Sequence, residues 1–261
     1  MPQPPPPWRR FIGIDYSGAA DSTTRLPGLR VYLATLEAEP VEVRPDPTRP
    51  TRHWTRQEVA QWLLARLREP IPTLVGIDHA LSLPLAYFER YRLPLDWPAF
   101  LQDFVTHWPA DQPGITVESI RRQGPKRSGE TRWRRIAERR DGRAKSVFHF
   151  DVPGSVAKST HAGLPWILTL RRELGPALHC WPFDGWSIPS GCSAIAEVYP
   201  SRMRVSPIPA GMTQDQFDAW SVAAWLRTHT LAGSLLDSLD PTLSPIERAQ
   251  AAIEGWILGV D

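Results

Sequence analysis

Cysteine is nearly absent from this chain: Cys180 and Cys192 are the only two among 261 residues. Two cysteines do not make a disulfide framework, and a chain of this length buries a full core without one. Long apolar runs are missing too. None approaches the ~18 residues of a membrane-spanning helix, and no charged stretch followed by an apolar one marks a secretory leader. The expectation is a cytoplasmic protein with no membrane partner. There is no internal repeat of roughly 20–50 residues, and no loop carries the terminal Gly-Lys-Ser/Thr of a nucleotide P-loop. Net charge is low as well, at +2.

What the chain does have is proline, 28 residues, roughly double the usual share. Pro2 and Pro4 to Pro7 make residues 1–8 read as an extended, disordered lead-in. Residues 9–261 read as one domain with an insertion at about 82–150, because no clean linker bounds that stretch. The twelve tryptophans are scattered singly, which suits packing better than one aromatic platform. Charge is uneven. Residues 121–145 hold eleven Lys or Arg against Glu130, Glu138 and Asp141, a local balance of +8 that leaves −6 elsewhere. Such a block is either a partner for phosphates, through residues such as Arg132, Arg134 and Arg135, or a solvated arginine-rich insertion.

Two segments end an apolar run on a carboxylate: Phe11-Ile12-Gly13-Ile14-Asp15 and Leu74-Val75-Gly76-Ile77-Asp78. Each is followed by turn-formers, Ser17-Gly18 and Ser82-x-Pro84, so each reads as a buried strand. An acid at the exit of a buried strand lies where open α/β sheets place ligands. If the two strands are neighbours their carboxylates converge, and converging carboxylates need a cation or a shared proton. Taken singly, each Asp is also a good turn-capping residue.

Further elements follow from periodicity and caps. Strands are expected over 29–37 and 41–44. Thr55-Arg56-Gln57-Glu58 is a capping box opening a helix through Leu67. The strand 73–78 comes next. Three strands, a helix and a strand with an acidic end is the order of a ribonuclease-H-like sheet, in which the first strand is central beside the fourth. Later come a helix around 165–174, strands over 177–181 and 194–199, and a helix capped by Thr213 with Gln216. A last helix opens at Ser244-Pro245-Ile246-Glu247 and is expected to bury Ile246, Ala249, Ile253, Trp256 and Ile257.

Other polar residues compete for the site. Glu197 interrupts the apolar strand Ala194-Ile195-Ala196-Glu197-Val198-Tyr199-Pro200, so it either pairs with an arginine or binds a cation. In the last helix Glu247 belongs to the capping box, whereas Glu254 has no local explanation and is preferred as a helix-borne carboxylate over plain surface exposure. Between Gly154 and Trp166, Lys158 can meet a phosphate as a point charge and His161 can act as acid or base.

Together, Gly13-Ile14-Asp15-x-Ser17-Gly18, Gly76-Ile77-Asp78 with Leu83-Pro84, the 154–166 segment, Glu197-Val198-Tyr199-Pro200 and Glu254-Gly255-Trp256-Ile257-Leu258-Gly259 resemble domain-of-unknown-function family 429. The resemblance runs from about residue 11 to 259, excluding the arginine-rich insertion. It implies a ribonuclease-H-like fold, nuclease activity, and an acidic site on Asp15, Asp78 and Glu197. The last helix departs from the family, whose members often carry Ala-Asp-Ala where this chain has Ala249-Gln250-Ala251; the helix acid is then either displaced to Glu254 or absent.

The leading expectation is an α/β, ribonuclease-H-like mixed sheet flanked by helices, with a helical and arginine-rich insertion, acting as a metal-dependent nuclease. Asp15, Asp78 and Glu197 would hold Mg²⁺ or Mn²⁺, with Glu254 as a fourth catalytic acid. Lys158, His161, Arg132, Arg134 and Arg135 would hold DNA or RNA through salt-sensitive phosphate contacts. Two alternatives stand beside it. One is a non-catalytic nucleic-acid or protein-binding module on a degenerate scaffold, favoured by Gln250. The other is phosphotransfer, because Gly-Ile-Asp-x-Ser-Gly resembles the first phosphate loop of the actin and sugar-kinase superfamily.

Overall fold

The computed structural model describes residues 7–46, 48, 53–204 and 207–261. β1 (Arg10–Asp15) turns back through β2 (Arg30–Thr35) and β3 (Val41–Glu42) as an antiparallel meander, and α1 (Arg56–Leu67) crosses to β4 (Thr73–Ile77), parallel to β1. Four helices fill the stretch read as an insertion: α2 (Leu85–Tyr91), α3 (Trp97–His107), α4 (Val117–Arg122) and α5 (Ile136–Asp141). Then follow α6 (Ala157–Leu174), β5 (Leu178–Cys180), β6 (Ser193–Glu197), α7 (Pro200–Met203), α8 (Gln214–Ala232), α9 (Leu235–Ser238) and α10 (Pro245–Glu254). The result is an α/β protein with a six-stranded mixed sheet flanked by helices. Its strand order is β3-β2-β1-β4-β6-β5, with β4, β6 and β5 mutually parallel.

Strand alternation divides the core in two. Ile12, Ile14, Val75, Ile77 and Ile195 join the cluster built with α1, α3 and α6. Phe11, Leu74, Ala194 and Ala196 join the one built with α8 and the chain after α10. Gly13 and Gly76 lie on this second face. A Cβ at Gly13 would stand 2.2 Å from the Ala219 carbonyl oxygen, and one at Gly76 would stand 2.6 Å from a Val222 methyl. The glycine of each Gly-Ile-Asp run is therefore what lets α8 lie directly on the sheet. A side chain at either position would push that helix away from the strand ends.

The capping boxes at Thr55, Thr213 and Ser244 all form reciprocally, each with its partner three residues on. Other expectations need correction. Residues 1–6 of the proline-rich lead-in lie outside the described residues, but Trp8 is buried and donates its indole N–H to the Cys192 carbonyl at 3.2 Å. α6 starts at Ala157, about two turns before Pro165. Its N-cap, Val156, makes no side-chain capping bond; the Ser155 hydroxyl before it accepts the Ala157 N–H instead, at 3.1 Å. α10 stops at Glu254 because Gly255 takes φ = 82°. Trp256 and Ile257 are buried, but beyond the helix, where Ile257 bridges Glu197 and the Leu258 N–H donates to the Glu197 carbonyl at 2.9 Å. Ile246, expected inside, is 81% exposed.

Candidate active site

β1 and β4 run parallel with Gly13 opposite Gly76 and Ile14 opposite Ile77. The Asp78 N–H continues the ladder by donating to the Ile14 carbonyl at 2.9 Å. Asp15 and Asp78 thus leave neighbouring strands side by side, and each carboxyl acts on the other's ionisation. Two half-buried anions side by side cannot both easily keep their charge there. Burial is the first force raising the Asp15 carboxyl far above the usual range, followed by the charges of Asp78, Asp215 and Asp218. Burial also leads in raising Asp78, followed by Asp218. The geometry is that of a pair holding one proton between them.

Glu197 stands elsewhere. It is in register with Ile77, one residue short of the position matching Asp78. Because side chains alternate along a strand, that single step turns it to the other face. The residue that continues the ladder beside Asp78 is Val198, whose N–H donates to the Ile77 carbonyl at 3.0 Å. On its own face Glu197 meets Arg135, which donates from Nη1 and Nη2 to the two carboxylate oxygens at 2.6 Å each. Arg135 also donates from Nε to Glu138 at 2.9 Å and from Nη1 to the Glu254 carbonyl at 3.3 Å. Burial pushes the Glu197 carboxyl up and the guanidinium pulls it back; two donors on two oxygens fit the ionised form. The expectation of Glu197 as a cation ligand and Arg135 as a phosphate contact is corrected accordingly. Each neutralises the other, out of reach of solvent.

Glu254 is a cap rather than a helix-borne catalytic acid. Buried to 1% exposure, it accepts the Leu85 N–H at 2.5 Å and the Ile136 N–H at 2.6 Å, the first backbone donors of α2 and α5. One carboxylate so satisfies orphan donors at two helix starts, where negative charge is favoured. Gln250 donates to it at 3.0 Å. The carboxylates that do approach Asp15 come from α8: Asp215 and Asp218, whose charges both act on it. Sequence reasoning passed over them as polar residues in the first turns of a helix. The available signal was Gly13 and Gly76, which require some helix to lie against the strands that end in Asp15 and Asp78.

The expected substrate contacts are dispersed. His161 has no exposure; it packs among Phe104, Trp108, Phe148 and Phe150, its Nδ1 2.8 Å from the Ala157 carbonyl, and burial pushes it down to about 3. It is a neutral core residue, not an acid or base facing a ligand. Lys158 is half-exposed on α6, 3.6 Å from Glu118. Arg134 donates to the Glu138 and Ala144 carbonyls, bracing its own loop. Arg132 is exposed and pairs with Glu130 at 2.6 Å. Much of the basic block is spent internally in the same way: Arg121 pairs with Glu118 and Asp151, Arg127 with Asp103, and Arg140 with Glu247. The Ser17-Gly18 turn is closed against α6, since a Cβ at Gly18 would meet Lys158 backbone atoms at 2.1 Å. That contact fills the space a phosphate loop would need.

One buried atom fits an ionic ligand. Asp78 Oδ1 is enclosed without a hydrogen-bond partner, and Asp78 borders a cavity of about 20 Å³ that Glu197, Arg135 and Lys145 also line, room for one water-sized species. Among the described residues no group of three or more His, Cys, Asp or Glu side chains is close enough to hold a metal ion. Asp15 and Asp78 would offer an ion oxygen atoms from two residues only, since Asp218 is bonded to Arg204 and Gln214. Comparison with protein-family models, with curated proteins and with solved structures finds no match to this chain.

Proposed function

We propose that this protein is a metal-dependent phosphodiesterase on a ribonuclease-H-like fold, acting on DNA or RNA, related to domain-of-unknown-function family 429. The observation that carries the reading is the Asp15–Asp78 pair: two half-buried carboxyls at the ends of adjacent parallel strands, each acting on the other's ionisation, with no cationic side chain among the described residues bonded to either and one enclosed oxygen, Asp78 Oδ1, left unpartnered. The strand order, with β1 central beside β4 and an antiparallel meander on its other side, supports the fold assignment. Asp15 and Asp78 would hold Mg²⁺ or Mn²⁺, and Asp218 would complete the oxygen set. When bound, the ion supplies charge for an activated water and for the phosphate oxygens in the transition state. The protein's own part would be to place these acids: Arg135 is locked on Glu197, and Gly13 and Gly76 let α8, the helix that carries Asp218, lie directly on the strands that lead to the pair.

A second reading is a binding module without catalysis. It is favoured by the lack, among the described residues, of a preformed cluster of three ligands. The deciding experiment incubates labelled single- and double-stranded DNA and RNA with the protein in Mg²⁺, Mn²⁺ or EDTA, beside Asp15→Asn. Cation-dependent cleavage that disappears in Asp15→Asn supports the nuclease. Binding without cleavage on every substrate supports the module. Equal cleavage by both proteins contradicts the site.

A further inference from the structure

The cavity beside Asp78 is bordered by two members of the basic block, Arg135 and Lys145, and they differ in what they have left to give. Arg135 is nearly without exposure and donates to Glu197, Glu138 and the Glu254 carbonyl. Lys145 is half-buried. Its ammonium donates to one neutral acceptor, the Pro153 carbonyl, and among the described residues it forms no ion pair. A lysine ammonium carries three N–H donors, so its charge and most of its donors remain unspent. Lys158, the lysine expected from the sequence to meet a phosphate, already stands 3.6 Å from Glu118.

The backbone around Lys145 is fixed on both sides. Asp141 Oδ2 accepts the Arg143 N–H at 3.0 Å and the Ala144 N–H at 2.5 Å, and Arg134 donates to the Ala144 carbonyl at 2.5 Å. After it, the Ser146 hydroxyl donates to the Trp133 carbonyl at 2.5 Å. A pinned backbone therefore carries a long, flexible stem whose charged tip is tied at one point. Gly154 also lines the cavity, and a Cβ there would stand 3.7 Å from the Lys145 Nζ, so the ammonium lies against the 153–154 turn. The cavity holds one water-sized species and no more. An anion that meets Lys145 is therefore placed at the mouth of the cavity and not inside it.

We propose that Lys145 is the phosphate contact of this site: its ammonium leaves the Pro153 carbonyl for a backbone phosphate oxygen of a nucleic-acid strand lying across the mouth of the cavity. This rests on the nucleic-acid reading above and requires no bound cation. The contrasting role is a tie between the 144–146 segment and the 153–154 turn, which makes the same hydrogen bond.

The test reads binding of a labelled single-stranded oligonucleotide by fluorescence anisotropy, in EDTA and over a salt titration, with the melting temperature of each protein measured alongside. The proteins are the parent, Lys145→Met, Lys145→Gln and Arg143→Met. The last removes an exposed charge two residues away that does not line the cavity. A phosphate contact predicts about tenfold weaker binding by both Lys145 variants, the worth of one charge-assisted hydrogen bond. The slope of log affinity against log salt should fall by about one, and Arg143→Met should stay within about twofold of the parent. Lys145→Gln can still donate to a carbonyl, so it separates charge from tie and serves if Lys145→Met does not fold. Parent-like oligonucleotide binding by the Lys145 variants, whatever their melting temperatures, would make Lys145 a tie and overturn the proposal. An equal loss in Arg143→Met would reduce Lys145 to general surface charge and also overturn it. A parent that binds no oligonucleotide removes the nucleic-acid reading and this proposal with it.

Discussion

Two sets of acids sit at the same edge of the sheet, on opposite faces, and the fold treats them in opposite ways. On one face Glu197 and Glu138 share Arg135, all three nearly without exposure. On the other, the half-buried Asp15 and Asp78 act on each other's ionisation, and among the described residues no side-chain cation bonds to either. Taking a carboxylate out of water is costly in both places. The first face meets that cost from within the chain, through a guanidinium 62 residues away in sequence. The second leaves it to a proton shared with the neighbouring acid or, on the reading proposed above, to a metal ion. An acid whose counter-charge is built in holds the fold together; an acid without one is where that reading puts the ligand.

The largest effect expected from this contrast is on stability. Arg135→Met strands two buried carboxylates and should cost about 3–5 kcal/mol, seen as a fall in melting temperature of roughly 10 °C or as insoluble protein. Retention of the parent's melting temperature would mean that this face is not the structural one. Next comes Glu254→Gln, which leaves one of two helix-start N–H groups without its acceptor. A loss of about 1–3 kcal/mol is expected, with unchanged Mn²⁺ affinity; weakened Mn²⁺ binding would return Glu254 to the site.

On the ligand face the sign reverses. Both Asp15 and Asp78 have carboxyls raised in the folded state. The stability linked to their protonated forms is complete below the unfolded carboxylate range and is lost as pH rises through the raised values, toward neutrality and beyond. Metal-free protein should therefore melt lower at pH 8 than at pH 5.5. Asp15→Asn should flatten that slope and raise stability near neutral pH by on the order of 1–2 kcal/mol, the scale of a one-unit shift. A parent whose melting is flat across this range, or an Asp15→Asn protein that melts lower, would contradict a proton-sharing pair.

The sequence made the sheet and the paired acids legible, because buried strands ending in Gly-Ile-Asp and three reciprocal capping boxes are local signals. The remainder of the site depends on contacts that no local pattern encodes. Whether Glu197 meets a cation or an arginine was open until its register with Ile77 turned it toward Arg135. Glu254 had no neighbour in sequence to explain it, since its partners are N–H groups at Leu85 and Ile136. No acid replaces Gln250 on α10; the acids whose charges act on Asp15 from a helix are Asp215 and Asp218 of α8, a helix brought onto the sheet by the glycines of β1 and β4. His161 looked chemical because the small and polar residues around it hide an α6 whose N-cap is Val156 rather than a polar residue.

The smallest expected effect concerns the basic block. Arg132 is exposed and bonded only to nearby Glu130, so Arg132→Ala should leave melting unchanged. If nucleic acid runs over this face, the slope of log affinity against log salt should fall by about one. An unchanged slope would make Arg132 part of a solvated loop.

The central claim is that the Asp15–Asp78 pair exchanges its proton for a divalent cation, and calorimetric titration of Mn²⁺ near neutral pH in two buffers of different ionisation enthalpy tests it most directly. The account predicts saturable binding by the parent, with a heat that changes between buffers because protons are released. Asp15→Asn should lose this binding and Glu254→Gln should keep it. No binding by the parent, or equal binding by Asp15→Asn, would contradict the account.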